Sequence, residues 1–358
     1  MKSKIDTKAL KEGFKSPPPG YGVVPFYWWV GEELVKERLL WQLEQLAGMH
    51  ISGIQINYCH TDKGGQSYGL TYRNKPDLFS EEWWELFSWF MEEAYARGMS
   101  VSLSDYTLGT PGQGYYTDRI LEEHPEMRGQ KLNFEELQIT KGQKIEIAVS
   151  NLLCAHFIES GVDEDEGQDV LEVVQKGEFY PNTDGRLLLV YVVFPEYTFD
   201  PMHEKAGEQV IEKFFASFEE HCPEQCGKGL NFFFSDELNF NISGNLWNDA
   251  FADEFQRRKG YDIRPNLWRI FEGENAKSVK VRLDYYDVIV QLEEENYFSK
   301  IYKWHEDRGI IYGCDHGGRG YDVTEFGDYF RTQKYNQGPG CDQPYLSSDI
   351  IKNKVSSS

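Results

Sequence analysis

The chain has 358 residues and an apolar content of 40%, enough for one large domain or two ordinary ones with a real core, so a disordered chain is excluded. Lys and Arg number 37 against 59 Asp and Glu, and the formal net charge of −22 lacks the basic footprint that a phosphate backbone needs, which excludes nucleic acid as a partner. No apolar run approaches ~18 residues, so no membrane span or membrane partner is expected.

Six cysteines (Cys59, Cys154, Cys222, Cys226, Cys314, Cys341) are spread along the chain without a dense framework, and Met1 leads into polar sequence with no apolar signal region. The expectation is a reduced, cytoplasmic protein. Cys222 and Cys226 have no second Cys/His pair at zinc-site spacing after them, which argues against a structural metal there.

Residues 1–22 form a polar lead-in whose Pro17-Pro18-Pro19-Gly20 run suits neither helix nor central strand. From residue 23 a βα rhythm begins. Val24 to Val30 is strand-like, and Glu33 to Gly48 carries Leu34, Leu39, Leu40, Leu43 and Leu46 at helical spacing. Ile51 to Tyr58 predicts a second strand, Ser80 to Arg97 a helix with Ser80 as N-cap and Gly98 as its stop, and Val101 to Tyr106 a third strand ending on Asp105. Three such units, spanning residues 23–116, predict a parallel sheet covered by helices.

Residues 117–195 break the rhythm with strand-like alternation at Gln143 to Val149, Val170 to Val174 and Leu187 to Phe194, around the acidic loop Asp163 to Asp169. They read as a β-rich insertion, although periodicity leaves open whether the last run, LLLVYVVF, belongs to the insertion or to the parallel sheet. Over residues 196–358 the βα rhythm returns: a helix around Glu208 to Glu220, a strand Leu230 to Ser235, helices across 244–258 and 279–308, and a strand Ile310 to Cys314. The expected fold class is an α/β, (β/α)8 TIM-type barrel, incomplete at the C-terminus. Five or six barrel strands are counted where a closed barrel has eight, which exposes an edge through which copies could associate.

In parallel barrels the reactive groups follow the strands, and here Trp28-Trp29, Asn57-Tyr58, Asp105, Ser235-Asp236-Glu237 and Asp315-His316 do so. The aromatic residues, 15% of the chain, suit either sugar stacking or core packing. Four acids converging on one mouth (Asp105, Asp236, Glu237, Asp315) perturb one another's protonation, and glycoside hydrolysis needs one carboxyl held protonated and another ionised opposite it. Glu237 is the candidate general acid, against a plain ion pair with an arginine such as Arg319. Asp236 next door is expected to point away, because adjacent strand residues face opposite sides. The run Asp315-His316-Gly317-Gly318-Arg319-Gly320 fits recognition of sugar hydroxyls, or equally a glycine-rich loop with a structural ion pair; it lacks the spacing of a phosphate cradle. Gly64-Gly65 and Gly109 to Gly114 read as rim loops with no motif of their own.

The runs PFYWWVGEELVKERLLWQLEQLAGMHISGIQI, LFSEEWWELFSWFMEEAYARGMSVSLSDY and FFFSDELNF, with FQRRKGYDIRPNL after it, resemble the N-terminal catalytic region of family 106 glycoside hydrolases, α-L-rhamnosidases and relatives, over most of residues 14–358. The resemblance implies a barrel interrupted by β elements and an exo-acting, inverting enzyme that removes a terminal deoxysugar such as rhamnose, with room for calcium near the site. It implies that Glu237 is the acid and that the second carboxylate follows a later strand, beyond the closing KVSSS. The sequence reading is therefore a glycosidase with Glu237 as acid. Asp105, Asp236, Asn57, Asp315, His316 and Arg319 surround the sugar, Trp28, Trp29 and Tyr58 form stacking walls, and the isolated chain is weak or inactive. A non-catalytic carbohydrate-binding relative and a glycosidase for another sugar are the rivals, since specificity rests on a few hydroxyl contacts.

Overall fold

The computed structural model describes residues 6–31, 33–59, 73–104, 115–145, 147, 149–196, 198–316 and 324–340. Helix α1 (Thr7–Lys15) opens the chain, N-capped by Asp6, whose carboxylate accepts from Lys8 N (2.9 Å) and Ala9 N (3.3 Å). The sequence reading gave this segment no helix; Asp6 followed by Leu10 and Phe14 four residues apart was the available signal.

The βα rhythm then runs β1 (Phe26–Trp29), α2 (Lys36–Gly48), β2 (Gly53–Tyr58), α3 (Glu81–Ala96) and β3 (Ser100–Ser104). Helix α3 starts where the Ser80 hydroxyl accepts from Trp83 N, and stops where Gly98 adopts a φ of 75°. After α4 (Tyr115–Glu123) come β4 (Gln130–Ile139), β5 (Leu152–Glu159), β6 (Gln168–Asp169), α5 (Leu171–Gln175) and β7 (Gly185–Val193). The second half holds α6 (Ala206–Val210), which passes through a π-turn into α7 (Ala216–His221), then β8 (Leu230–Leu238), β9 (Leu246–Trp247) and α8 (Phe251–Lys259). Helix α9 (Ala276–Glu293) continues through a second π-turn into α10 (Ser299–Arg308), and β10 (Ile311–His316), α11 (Tyr329–Gln333) and β11 (Gly338–Pro339) follow.

Two sheets result. The first is entirely parallel, in the order β1-β2-β3-β8-β10-β11, and the second is antiparallel, in the order β6-β5-β7-β4-β9. The described residues thus form a mixed α/β structure with one sheet of each kind. LLLVYVVF lies in β7, in the antiparallel sheet, which settles the alternative left open by its periodicity. Two strand-like runs are not strands. Val170 and Val174 are both buried because they stand four apart at the start and on the face of the short helix α5, whose first amide, Leu171 N, donates to the Asp169 carboxylate. Ile145 and Ile147 lie in a loop that tucks them into the small apolar cluster beneath the antiparallel sheet.

Alternation divides the antiparallel sheet between two cores. Leu188, Val190 and Val192 of β7 join the main core, whereas Leu187 and Leu189 face the small cluster with Ala155, Phe157 and Ile139. Helix α6 meets the π-turn between α9 and α10 through Gly207. A Cβ there falls 2.7 Å from Lys300 Cβ and 2.8 Å from the Tyr297 carbonyl oxygen.

The helical layer also buries two carboxyls. Asp200 accepts from Met202 N (2.9 Å) and Asn248 Nδ2 (2.8 Å), yet burial pushes its pKa up to about 7. Glu293 on α9 is fully enclosed, its oxygens find no hydrogen-bond partner among the described residues, and burial holds it protonated well above the usual carboxylate range.

Gly207→Ala should drive α6 from its neighbour and lower the stability read from urea unfolding by about 1–3 kcal/mol. Asp200 has a folded pKa above its unfolded value of roughly 3.9, so its contribution is fully present below about pH 4 and is lost as pH rises through 7. The unfolding free energy of Asp200→Asn, read from urea titrations, should therefore gain on the parent between those pH values, by an amount on the order of 2–4 kcal/mol; a constant difference across the range would be the contrary result.

Candidate functional site

The parallel register sorts every strand residue to one of two faces. Phe26 pairs with Gln55 and Trp28 with Asn57; Gln55 pairs with Ser102, Ser102 with Phe232, Ser104 with Phe234, and Phe234 with Gly313. These residues share the sheet's inner face, the one opposite its helix-packed side. Tyr27, Trp29, Ile56, Tyr58, Leu103, Phe233 and Tyr312 alternate with them and face the helices.

That division separates the expected aromatic walls. Trp28 lies on the inner face and is 39% exposed, in edge contact with Phe26. Trp29, at 2% exposure, packs on Phe90 and Phe87 of α3, and Tyr58 packs on Trp83 while its hydroxyl donates to the Pro76 carbonyl. Trp29 and Tyr58 therefore belong to the helical packing layer, and the expectation that they wall a sugar pocket is corrected.

Asn57 stands beside Trp28 on the inner face, 0% exposed, and neither its amide nitrogen nor its oxygen has a hydrogen-bond partner among the described residues. A buried carboxamide left unpaired costs the full desolvation of its polar atoms, which singles Asn57 out from the packed residues around it. Gln55, one layer deeper, has an amide nitrogen in the same condition, and so do the hydroxyls of Ser100 and Ser102. The sequence reading missed these three. Their signal was the period of two that links Gln55 to Asn57 and Ser100 to Ser102.

The ends of β8 and β10 carry the acids. Cys314 pairs with Ser235 and His316 with Leu238, so Asp236 and Glu237 together stand opposite Asp315 alone. This is a β-bulge, and Glu237 sits in it with a φ of 48°, a left-handed conformation that costs energy for a side-chain-bearing residue. Bulges re-aim side chains, and strain of this kind clusters at functional positions. The bulge also removes the basis for sending Asp236 away from the mouth, because pleat parity stops at the register slip; Asp236 and Glu237 are both half-buried. Asp315 is 5% exposed at the end of the neighbouring strand. Ser235 faces the other way and accepts from the Tyr312 hydroxyl (3.0 Å).

Asp105 and Arg319 lie outside the described residues, as do the two glycine-rich rim loops, and only the backbone of His316 is described. The described residues contain no group of three or more His, Cys, Asp or Glu side chains suited to a metal ion, and no helix long and apolar enough to cross a membrane. Five cysteines among them are free thiols.

Comparison with known proteins bears on this geometry. Residues 196–339, which hold β8, β10 and the bulge, match the family model of glycoside hydrolase 106, alpha-L-rhamnosidase. The fold matches a rhamnosidase from Novosphingobium sp. PP1Y with a TM-score of 0.58 at 11% identity, covering 91% of this chain and 49% of that one, so the chain spans about half of that protein's length. A beta-galactosidase from the Antarctic haloarchaeon Halorubrum lacusprofundi (TM-score 0.44, 11% identity, 92% and 42% covered) and one from Marinomonas ef1 (0.38, 10%, 92% and 43%) are more distant. No curated protein matches the sequence significantly. The chain is thus similar to family 106 glycoside hydrolases over residues 196–339, and shares its fold with a rhamnosidase over most of its length.

Proposed function

We propose that the chain carries the acid half of a glycosidase site acting on a terminal sugar, α-L-rhamnosidase-like, with Glu237 as general acid. One observation carries the reading: within the matched residues, a glutamate is held in a bulge at a φ of 48° at the C-terminal end of a parallel strand, opposite a second strand-end carboxylate. In this reading the parallel sheet is the larger part of a TIM-type barrel, whose catalytic groups belong at that end of the strands. In this reading the edges at β1 and β11, the outermost strands among the described residues, are the surfaces for self-association.

The chemistry assigned to Glu237 is proton delivery. Its protonated carboxyl donates to the glycosidic oxygen as the bond to the anomeric carbon breaks, and water activated by a second carboxylate adds to that carbon. Asn57 and Asp315 hold sugar hydroxyls, and Trp28 offers its ring to a sugar face. Asp236, Asp105, His316 and Arg319 complete the contacts.

Glu237→Gln should lower kcat on aryl α-L-rhamnoside by roughly 10²–10⁴-fold while leaving the fold intact, and undiminished hydrolysis would remove Glu237 from the acid role. Trp28→Ala should raise KM several-fold, the equivalent of about 0.5–1.5 kcal/mol of stacking, with kcat much less affected. Turnover of a panel of other aryl glycosides in preference to the rhamnoside would redirect the reading to another sugar.

A further inference from the structure

The bulge leaves a mechanical question open, since a glutamate in the left-handed region reverts unless its surroundings over-determine it. The answer lies in the connection from β8 to β9. Asn239 bridges it at close range: its Nδ2 donates to the Glu237 carbonyl oxygen (3.0 Å), and its Oδ1 accepts from Asn241 N (3.1 Å). Asn241 and Ser243 have φ values of 58° and 49°, so the chain turns twice through the left-handed region within three residues.

Such alternation points successive backbone N–H groups into one concavity that suits an anion. Here the anion is a side chain. Glu325, 8% exposed and far away in sequence, places its carboxylate there: Oε2 accepts from Phe240 N (3.2 Å), and Oε1 accepts from Ile242 N (2.9 Å) and Ser243 N (2.7 Å). The neighbouring side chains fix the same joint, with the buried Phe240 ring set among Tyr297, Phe298 and Phe326.

We infer that Glu325 is a positioning residue for Glu237: its carboxylate locks the 240–243 backbone, and Asn239 transmits that lock to the Glu237 peptide. Its effect on catalysis rests on the reading of Glu237 as the acid; its effect on the Glu237 backbone does not. Two variants separate the links. Glu325→Gln keeps the side-chain length but turns an NH2 group toward at least one of the three amides, and Asn239→Ala leaves the carboxylate in place while cutting the tie to Glu237.

The experiment uses the full chain labelled with ¹⁵N-glutamate, together with amide hydrogen exchange and kinetics on the aryl glycoside that the parent prefers. Expected are a shifted Glu237 amide resonance in both variants, faster exchange at Phe240, Ile242 and Ser243 in Glu325→Gln, and a fall in kcat of roughly ten- to a hundredfold with KM nearly unchanged. A Glu237 resonance that stays put in both folded variants overturns the inference, and so does an unaltered kcat in an active protein. If the parent hydrolyses nothing on the panel, the glycosidase reading falls alone, and the Glu237 resonance still decides whether Glu325 holds that peptide.

Discussion

A strand in a parallel sheet presents its residues alternately to two environments, and in this protein one is a helix-packed aromatic layer and the other a face that mixes rings with small polar groups. Toward the helices go Trp29, Tyr58, Phe233 and Tyr312, which meet Phe87, Phe90, Phe215 and Phe218 in a continuous aromatic layer. Toward the inside go Ser100, Ser102, Ser104, Gln55, Asn57 and Gly313. Rings bury large areas and fix the sheet against its helices, at about 0.5–1.5 kcal/mol per well-placed pair beyond area burial. The inner face also carries Phe26, Trp28, Phe232 and Phe234, and beside them Gln55 Nε2, the Asn57 carboxamide and the Ser100 and Ser102 hydroxyls have no hydrogen-bond partner among the described residues.

Much of the fold was legible because it follows from periodicity. The helices were found from apolar spacing and from caps such as Ser80 and Gly98, and the parallel strands from short apolar runs, with most bounds moving by one to three residues. The helix expected from residue 244 starts only at Phe251, because Leu246 and Trp247 pair with β4 as β9. What failed was local. Val170 to Val174 has apolar residues that satisfy both a period of two and a spacing of four, and only the partners available to its backbone decide between them. Ile145 and Ile147 alternate, yet among the described residues they pair with no strand and are held by the small apolar cluster.

The candidate site was legible as a list of strand ends and illegible as an arrangement. Trp28 and Trp29 are neighbours in sequence but lie on opposite sides of the sheet, a distinction that needs the register with β2. The pairing of Asp236 and Glu237 against a single Asp315 depends on a slip that no periodicity announces. Glu325 was invisible for a different reason: its partners are backbone amides, which every sequence supplies at every position.

The antiparallel sheet bears on how such a chain can be divided. Its strand β4 pairs on one side with β7 and on the other with β9, which lies beyond β8 in sequence: Gln130 meets Trp247 and Lys131 meets Leu246. The extra sheet is therefore stitched through β4 into the connection that leaves the candidate acid. It is not a detachable module that recombination or a designer could lift out at residues 117 and 195, because removal would strip β9 of its partner and unseat the polypeptide just downstream of Glu237.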